Sequence, residues 1–229
     1  MSKKKFHNFI HQYKHAWVFL YIFIYMPWFT LLERREGHIK HFIIHSPIDN
    51  YIPFVEYFIV PYLLWFFLVA AVVLYFFFKD KDEFYKLILF LFCGMTIFLI
   101  ISTIFPNGLN LRPLTYERDN IFVDMVKLLH RSDTPTNVLP SIHVFNTLGI
   151  MAAIHQSIHL KKRFFVKAIV YTLSVLIILS TLFLKQHSVT DVVAAFALGA
   201  ILYYMVYMLQ EQRASKISTQ PINQGSNSI

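Results

Sequence analysis

The chain has 229 residues, room for one domain or two small ones, and is 56% apolar, 17% aromatic and only 15% charged, where soluble domains carry about 25% charge. That excludes an ordinary soluble domain and points to a protein that crosses a membrane several times. The formal charge of +8 does not read as a nucleic-acid surface, because the basic residues sit in short clusters between apolar runs, as membrane loops do.

The single cysteine, Cys93, lies in an apolar run; it excludes an intramolecular disulfide or a cysteine-based metal site and reads as a small core residue. At the N-terminus, a basic stretch to His15 gives way to an uncharged run from Ala16 to Leu32. No small-residue cleavage site follows, and Glu33 to Glu36 stop the run, so it reads as a retained first span and not a signal peptide. Trp17 and Trp28 sit near its interfaces, and Pro27 is a candidate kink. A polar loop follows, in which His38, His41 and His45 have metal-ligand side chains but a spacing that suits the wet face of an interfacial helix. A second span runs from Tyr57 to Phe78 and, after the charged turn KDKDEFYK, a third from Leu87 to Phe105. Residues 106–140 are too polar to cross; within them Ile121 to Leu129 is short and amphipathic, suited to lying in the interface. The fourth span starts near Pro140 and carries Ser141, His143, Asn146, His155 and His159, polar groups that in a bilayer face a cavity or a partner helix. The fifth runs from Val166 to Leu184 and the sixth from Thr190 to Leu209.

The expected fold is therefore an all-α integral membrane bundle of six transmembrane helices with a short interfacial helix before the fourth. Residues 1–15 form a cytoplasmic segment, 16–209 the membrane domain, and 210–229 a polar, disordered cytoplasmic tail. Lysines and arginines number 13 on the terminal side and 8 on the other, which puts both termini in the cytoplasm of a plasma-membrane protein. The loop of Arg112, the Ser141 end of span four and the His187 end of span six then share the outer face.

Three polar motifs converge there: NGLNLRP with Arg112, LPSIH (Leu139 to His143), and STLFLKQHSVTD (Ser180 to Asp191). Arg112 offers a planar fork for phosphoryl oxygens. Pro140 suits the first position of a helix, which leaves the amides of Ser141, Ile142 and His143 pointing at an anion. His187 and Asp191, four apart, would share a helix face, with the acid fixing the imidazole tautomer. These parts fit a phosphate ester: His187 attacks phosphorus, His143 protonates the leaving alkoxide, and water resolves the phosphohistidine. His155 and His159, near the cytoplasmic end, read as structural.

RP, PSIH and ST…His187…Asp191 resemble the three-part signature KxxxxxxRP, PSGH and SRxxxxxHxxxD of the type 2 phosphatidic acid phosphatase superfamily, from about Phe105 to Asp191. The resemblance implies a helical bundle and a lipid phosphate or pyrophosphate phosphatase working without metal or other cofactor. In it His187 is the nucleophile, Asp191 its support, His143 the acid, and Arg112 and Ser141 phosphate ligands. Two departures stand out: Phe105 occupies the family lysine position and Thr181 the family arginine position. Lys185, two residues before His187, either replaces a missing cation or faces lipid headgroups. The departures resemble the inositol phosphorylceramide synthase branch, in which a lipid alcohol replaces water; a phosphotransferase is thus the alternative, and a lipid transporter a remoter one. The partner expected is a membrane lipid phosphate, with oligomeric state unreadable.

Overall fold

Seven helices and two very short strands make up the described residues, 11–209, of a computed structural model; residues 1–10 and the tail from 210 onward, with the expectations placed on them, lie outside those. A 3-10 stretch, Lys14–Tyr21, leads into α1 (Ile22–Glu33), followed by β1 (Phe42–Ile43), α2 (Ile59–Lys79), α3 (Lys81–Ile104), β2 (Asn107–Gly108), α4 (Ile121–Ser132), α5 (Ile142–Gln156), α6 (Phe164–Phe183) and α7 (Val189–Tyr203). Helix starts follow capping chemistry: Asp80 accepts the Asp82 and Glu83 amides ahead of α3, and Asn120 accepts those of Phe122 and Val123 ahead of α4, which satisfies amides with no partner inside the helix.

Five helical stretches are long and apolar enough to cross a membrane: Lys14–Glu33, Glu56–Lys79, Lys81–Ile104, Phe164–Phe183 and Val189–Met208. Each overlaps an expected span, with ends within a few residues except that the third starts six residues early, at Lys81. The expected fourth span is different. α5 has 15 residues, about 22 Å of helix, and is capped at Ser141 and ended by extended backbone at Ser157. It packs among α3, α6 and α7. Close approach to α3 is set by glycine: a methyl on Gly94 would lie 2.1 Å from the Phe145 ring, and one on Gly149 would lie 2.7 Å from Phe90. Those two rings stack at 4.9 Å, so α5 is the central post of the bundle.

The loops at one end are tied together. β1 pairs in parallel with β2, and Gly108 bridges to Thr136, a small departure from an all-α fold that arises because this polar backbone needs partners away from the helices. The backbone from His38 to His45 is not helical, so the three histidines do not form the expected helix face; His38 bonds the Glu36 carbonyl and His45 the Asn50 side chain instead. α4 is the amphipathic helix expected between spans three and four, extended to Ser132.

Candidate active site

The site is built on two helix starts at the tied end. α7 begins with a capping box: Ser188 is the N-cap, and Asp191 Oδ2 accepts the Ser188 amide at 2.9 Å. His187 precedes the cap, so it and Asp191 do not share a helix face as the spacing suggested. The carboxylate reaches back across the first turn, and the same oxygen lies 3.4 Å from His187 Nδ1. That is longer than the 2.7–2.9 Å of a charge-assisted bond, and histidine–acid contacts of this kind commonly tighten when substrate binds. With Nδ1 turned to Asp191, Nε2 is the nitrogen left without a partner. The imidazole is only 9% exposed.

What precedes His187 also fixes it. The Thr181 carbonyl accepts the amides of both Gln186 and His187 at 3.0 Å. Asp49, buried in a distant loop, accepts the Ser188 hydroxyl at 2.6 Å and the Val189 amide at 2.8 Å. A carboxylate there satisfies the open amides of α7 and favours its dipole.

α5 begins two residues later than expected, at Ile142. Ser141 is its N-cap, accepting the Val144 amide, and Pro140 lies outside the helix after a cis Leu139–Pro140 bond. The Ser141 amide is donated to the Asp191 carbonyl, which links the two helix starts, while the amides of Ile142 and His143 have no partner among the described residues. Asn107 holds the approach, its Oδ1 accepting the amides of Val138 and Leu139. The His143 ring packs between Tyr62 and Trp65, at 4.6 and 4.3 Å, and lies 6.0 Å from the His187 ring. Its Nε2 is buried without a hydrogen-bond partner, a state that costs free energy until a bound group supplies one.

A cavity of about 340 Å³ joins these groups, and Ile142, His143 and His187 line it. Arg112, Ser141, Thr181, Lys185 and Asp191 are not in its wall. All four Arg112 Nη hydrogens have protein acceptors: the carbonyls of His130, Asp133 and Thr134 and the Gln186 side chain at 2.6 Å. The guanidinium therefore holds the C-terminus of α4. Lys185 donates to the carbonyls of Asp49 and Ile52, and burial pushes its ammonium below the usual lysine range. The Thr181 hydroxyl bonds back to the Ile178 carbonyl, and Phe105, at the family lysine position, packs on Phe42. His155 and His159 lie at the other end, against Tyr171 and Asp80.

Sequence reading missed Asp49, Gln186, Glu33 and Asp133. SPID (Ser46 to Asp49) reads as a capping box, and Ser46 and Asp49 do cap each other; nothing local announces that Asp49 also reaches α7. Gln186 bridges Arg112 to Asp133, whose carboxylate accepts from it at 3.2 Å. Burial raises the Asp133 carboxyl above its ordinary range despite the nearby Arg112.

A family model described as the PAP2 superfamily matches residues 109–215, and this supports the resemblance to type 2 phosphatidic acid phosphatases. No curated protein and no solved structure matches the chain.

Proposed function

We propose that this chain is a membrane-embedded member of the PAP2 superfamily, spanning the bilayer six times with α5 as the short fourth crossing and α4 lying in the outer interface. Its activity is cleavage of a lipid phosphate or pyrophosphate ester through a phosphohistidine. The observation that carries this is the meeting, in one cavity, of two histidines from separate helix starts with their rings 6.0 Å apart. The Nε2 lone pair of His187 forms the N–P bond as the P–O bond to the leaving group breaks, and His143 gives its proton to the departing oxygen. Water then attacks phosphorus, the N–P bond breaks, and the water proton returns to His143. Asp191 holds Nδ1–H and supports the charge His187 gains. The amides of Ile142 and His143 receive phosphoryl oxygens. Arg112, Lys185 and the Thr181 carbonyl act behind them, fixing the loops that carry His187.

Transfer to a lipid alcohol is the second reading, and the cavity wall favours it. The wall holds carboxylates and, among the described residues, no lysine or arginine, which suits the single charge of a phosphodiester better than the double charge of a monoester. Both readings share one test. Solubilised protein given a phosphorus-labelled lipid in chelator should acquire an acid-labile, base-stable label, and His187→Ala should lose the label and at least about 10³-fold in turnover. Full turnover in His187→Ala would refute both. Product release without an added alcohol indicates the phosphatase, and release only with one indicates the transferase.

A further inference from the structure

The cavity that holds the two histidines is unusual for a phosphate site in what surrounds it. Glu33, at the end of α1, and Asp133, just past α4, both line it, and among the described residues no lysine or arginine does. Glu33 accepts from the Thr134 hydroxyl at 2.6 Å and the Asn137 amide at 2.8 Å; a carboxylate has about four acceptor sites, so capacity remains. Among the described residues the Asp133 carboxylate accepts only from Gln186, through Oδ2. The Arg112 guanidinium is directed at the carbonyls of His130, Asp133 and Thr134 at the end of α4, where a helix is already negative. An anion alone would thus face two carboxylates with no wall cation beside it.

The rest of the wall is aromatic. Tyr25 and Phe29 of α1 face the cavity from one side, and Trp65 and Phe66 of α2 from the other. The 3-10 stretch that leads into α1 meets the end of α2 at the opposite end of the bundle, where the His15 and Phe77 rings are 4.3 Å apart and Phe19 and Phe77 5.7 Å. At the site end the cavity is lined by residues of both α1 and α2, and Phe66 is exposed. Aromatic faces beside carboxylates attract an organic cation, by ring quadrupole and by charge, most strongly where water is excluded. His187, almost fully buried with Nε2 unpartnered, marks where phosphorus must sit.

We propose that the substrate is a phospholipid whose headgroup carries an ammonium cation. The phosphate meets His143, His187 and the start of α5, the ammonium lies against Glu33, Asp133 and the rings, and the acyl chains leave between α1 and α2. This rests on the phosphohistidine reading of the same cavity in its transfer form: the N–P bond to His187 forms as the bond from phosphorus to the diacylglycerol oxygen breaks, His143 protonates that oxygen, and a lipid alcohol then takes the headgroup phosphate as its own proton returns to His143. The zwitterion brings its own positive charge, which a wall without lysine or arginine does not provide.

Binding, measured on His187→Ala protein so that no turnover intervenes, separates this proposal from the chemistry. Dihexanoyl phosphatidylethanolamine, phosphatidylglycerol and phosphatidate, together with free phosphoethanolamine, are titrated into detergent-solubilised protein by calorimetry. The ethanolamine lipid should bind at least 10-fold more tightly than either anionic lipid and than free phosphoethanolamine. Glu33→Gln and Asp133→Asn, made in the same background, should each reduce that preference at least threefold without weakening phosphatidylglycerol. Equal or tighter binding of an anionic lipid, no lipid binding at all, or a preference unchanged in both variants would overturn the proposal. Equal binding of free phosphoethanolamine would overturn the lipid source. The phosphohistidine reading fails separately, if labelled lipid leaves no acid-labile label on the unmutated protein.

Discussion

His130 shows how one side chain outside the chemistry sets the pH range in which the site end stays assembled. Its Nε2 lies 3.1 Å from the Leu184 carbonyl and its Nδ1 2.9 Å from the Tyr116 hydroxyl. A carbonyl only accepts, so the neutral ring carries its proton on Nε2 and Tyr116 donates to Nδ1. Burial, with Arg112 adding repulsion, lowers its pKa to about 4. The sign follows directly: the unfolded chain, with a value near 6.5, takes up the proton first. The contribution of His130 to stability is therefore full above about pH 6.5 and is lost as pH falls toward about 4. Thermal unfolding in detergent across that window should show a steeper decline for the unmutated protein than for His130→Asn; parallel curves would mean the ring is not held neutral. Asp49 works by position instead. Removing its carboxylate leaves the Val189 amide and the Ser188 hydroxyl without their acceptor, and the turn carrying His187 loosens. Asp49→Ala is expected to lower kcat by about 10–100-fold, since small misplacements at a reacting centre have effects of that size, while KM stays within about twofold. A rise in KM with kcat intact would place Asp49 in binding instead, and steady-state kinetics distinguishes the two.

At the scale of elements, most of the bundle can be read from hydropathy because lipid-facing helices need unbroken apolar surface along their length. α2, α3, α6 and α7 obey that rule, and their expected ends agree with the structure to within a few residues, except that α3 starts six residues early, at Lys81, and that α7 gives way at Tyr204 to a π-helical turn that carries the span on to Met208. α5 follows a different rule. Val144, Phe145, Ile150 and Ile154 are apolar because they face other helices, and Asn146 and Thr147 are buried among them. A hydropathy window cannot distinguish burial against protein from burial against lipid, so the helix reads as longer than its 15 residues. The site was legible to a similar depth. His143, His187 and Asp191 stand out because the chemistry proposed for them restricts the residue types that could perform it. Their geometry was legible only in outline: the four-residue spacing of His187 and Asp191 comes from a capping box, not a helix face. Arg112 and Lys185 stand out equally in sequence, but where a guanidinium or ammonium points is decided by carbonyls from remote loops. Asp49, Glu33 and Asp133 reach the site only through tertiary packing, over sequence separations that leave no periodic trace.

For the whole molecule, the question that decides physiology is which side of the membrane the tied end faces. Every group assigned to the chemistry lies at that end, with the loops before α2, between α3 and α5, and between α6 and α7. The opposite end carries the turns after α2 and α5 and the start of the Lys14–Glu33 stretch. Lysines and arginines favour that opposite side by 13 to 8, and basic loops are retained on the cytoplasmic side. The catalytic end is thus expected outside, where it meets lipid in the outer leaflet. Two exposed positions test this: Tyr51, 86% exposed in the tied loops, and Ile158, 72% exposed beyond α5. In a Cys93→Ala background, Tyr51→Cys should react with a membrane-impermeant maleimide on intact cells, and Ile158→Cys only after permeabilisation. The reverse pattern would place His187 on the cytoplasmic side, and the lipid pool open to the proposed activity would then be the inner leaflet. An intermediate result, both positions labelled in intact cells, would mean dual insertion, which an imbalance of 13 to 8 should be large enough to prevent.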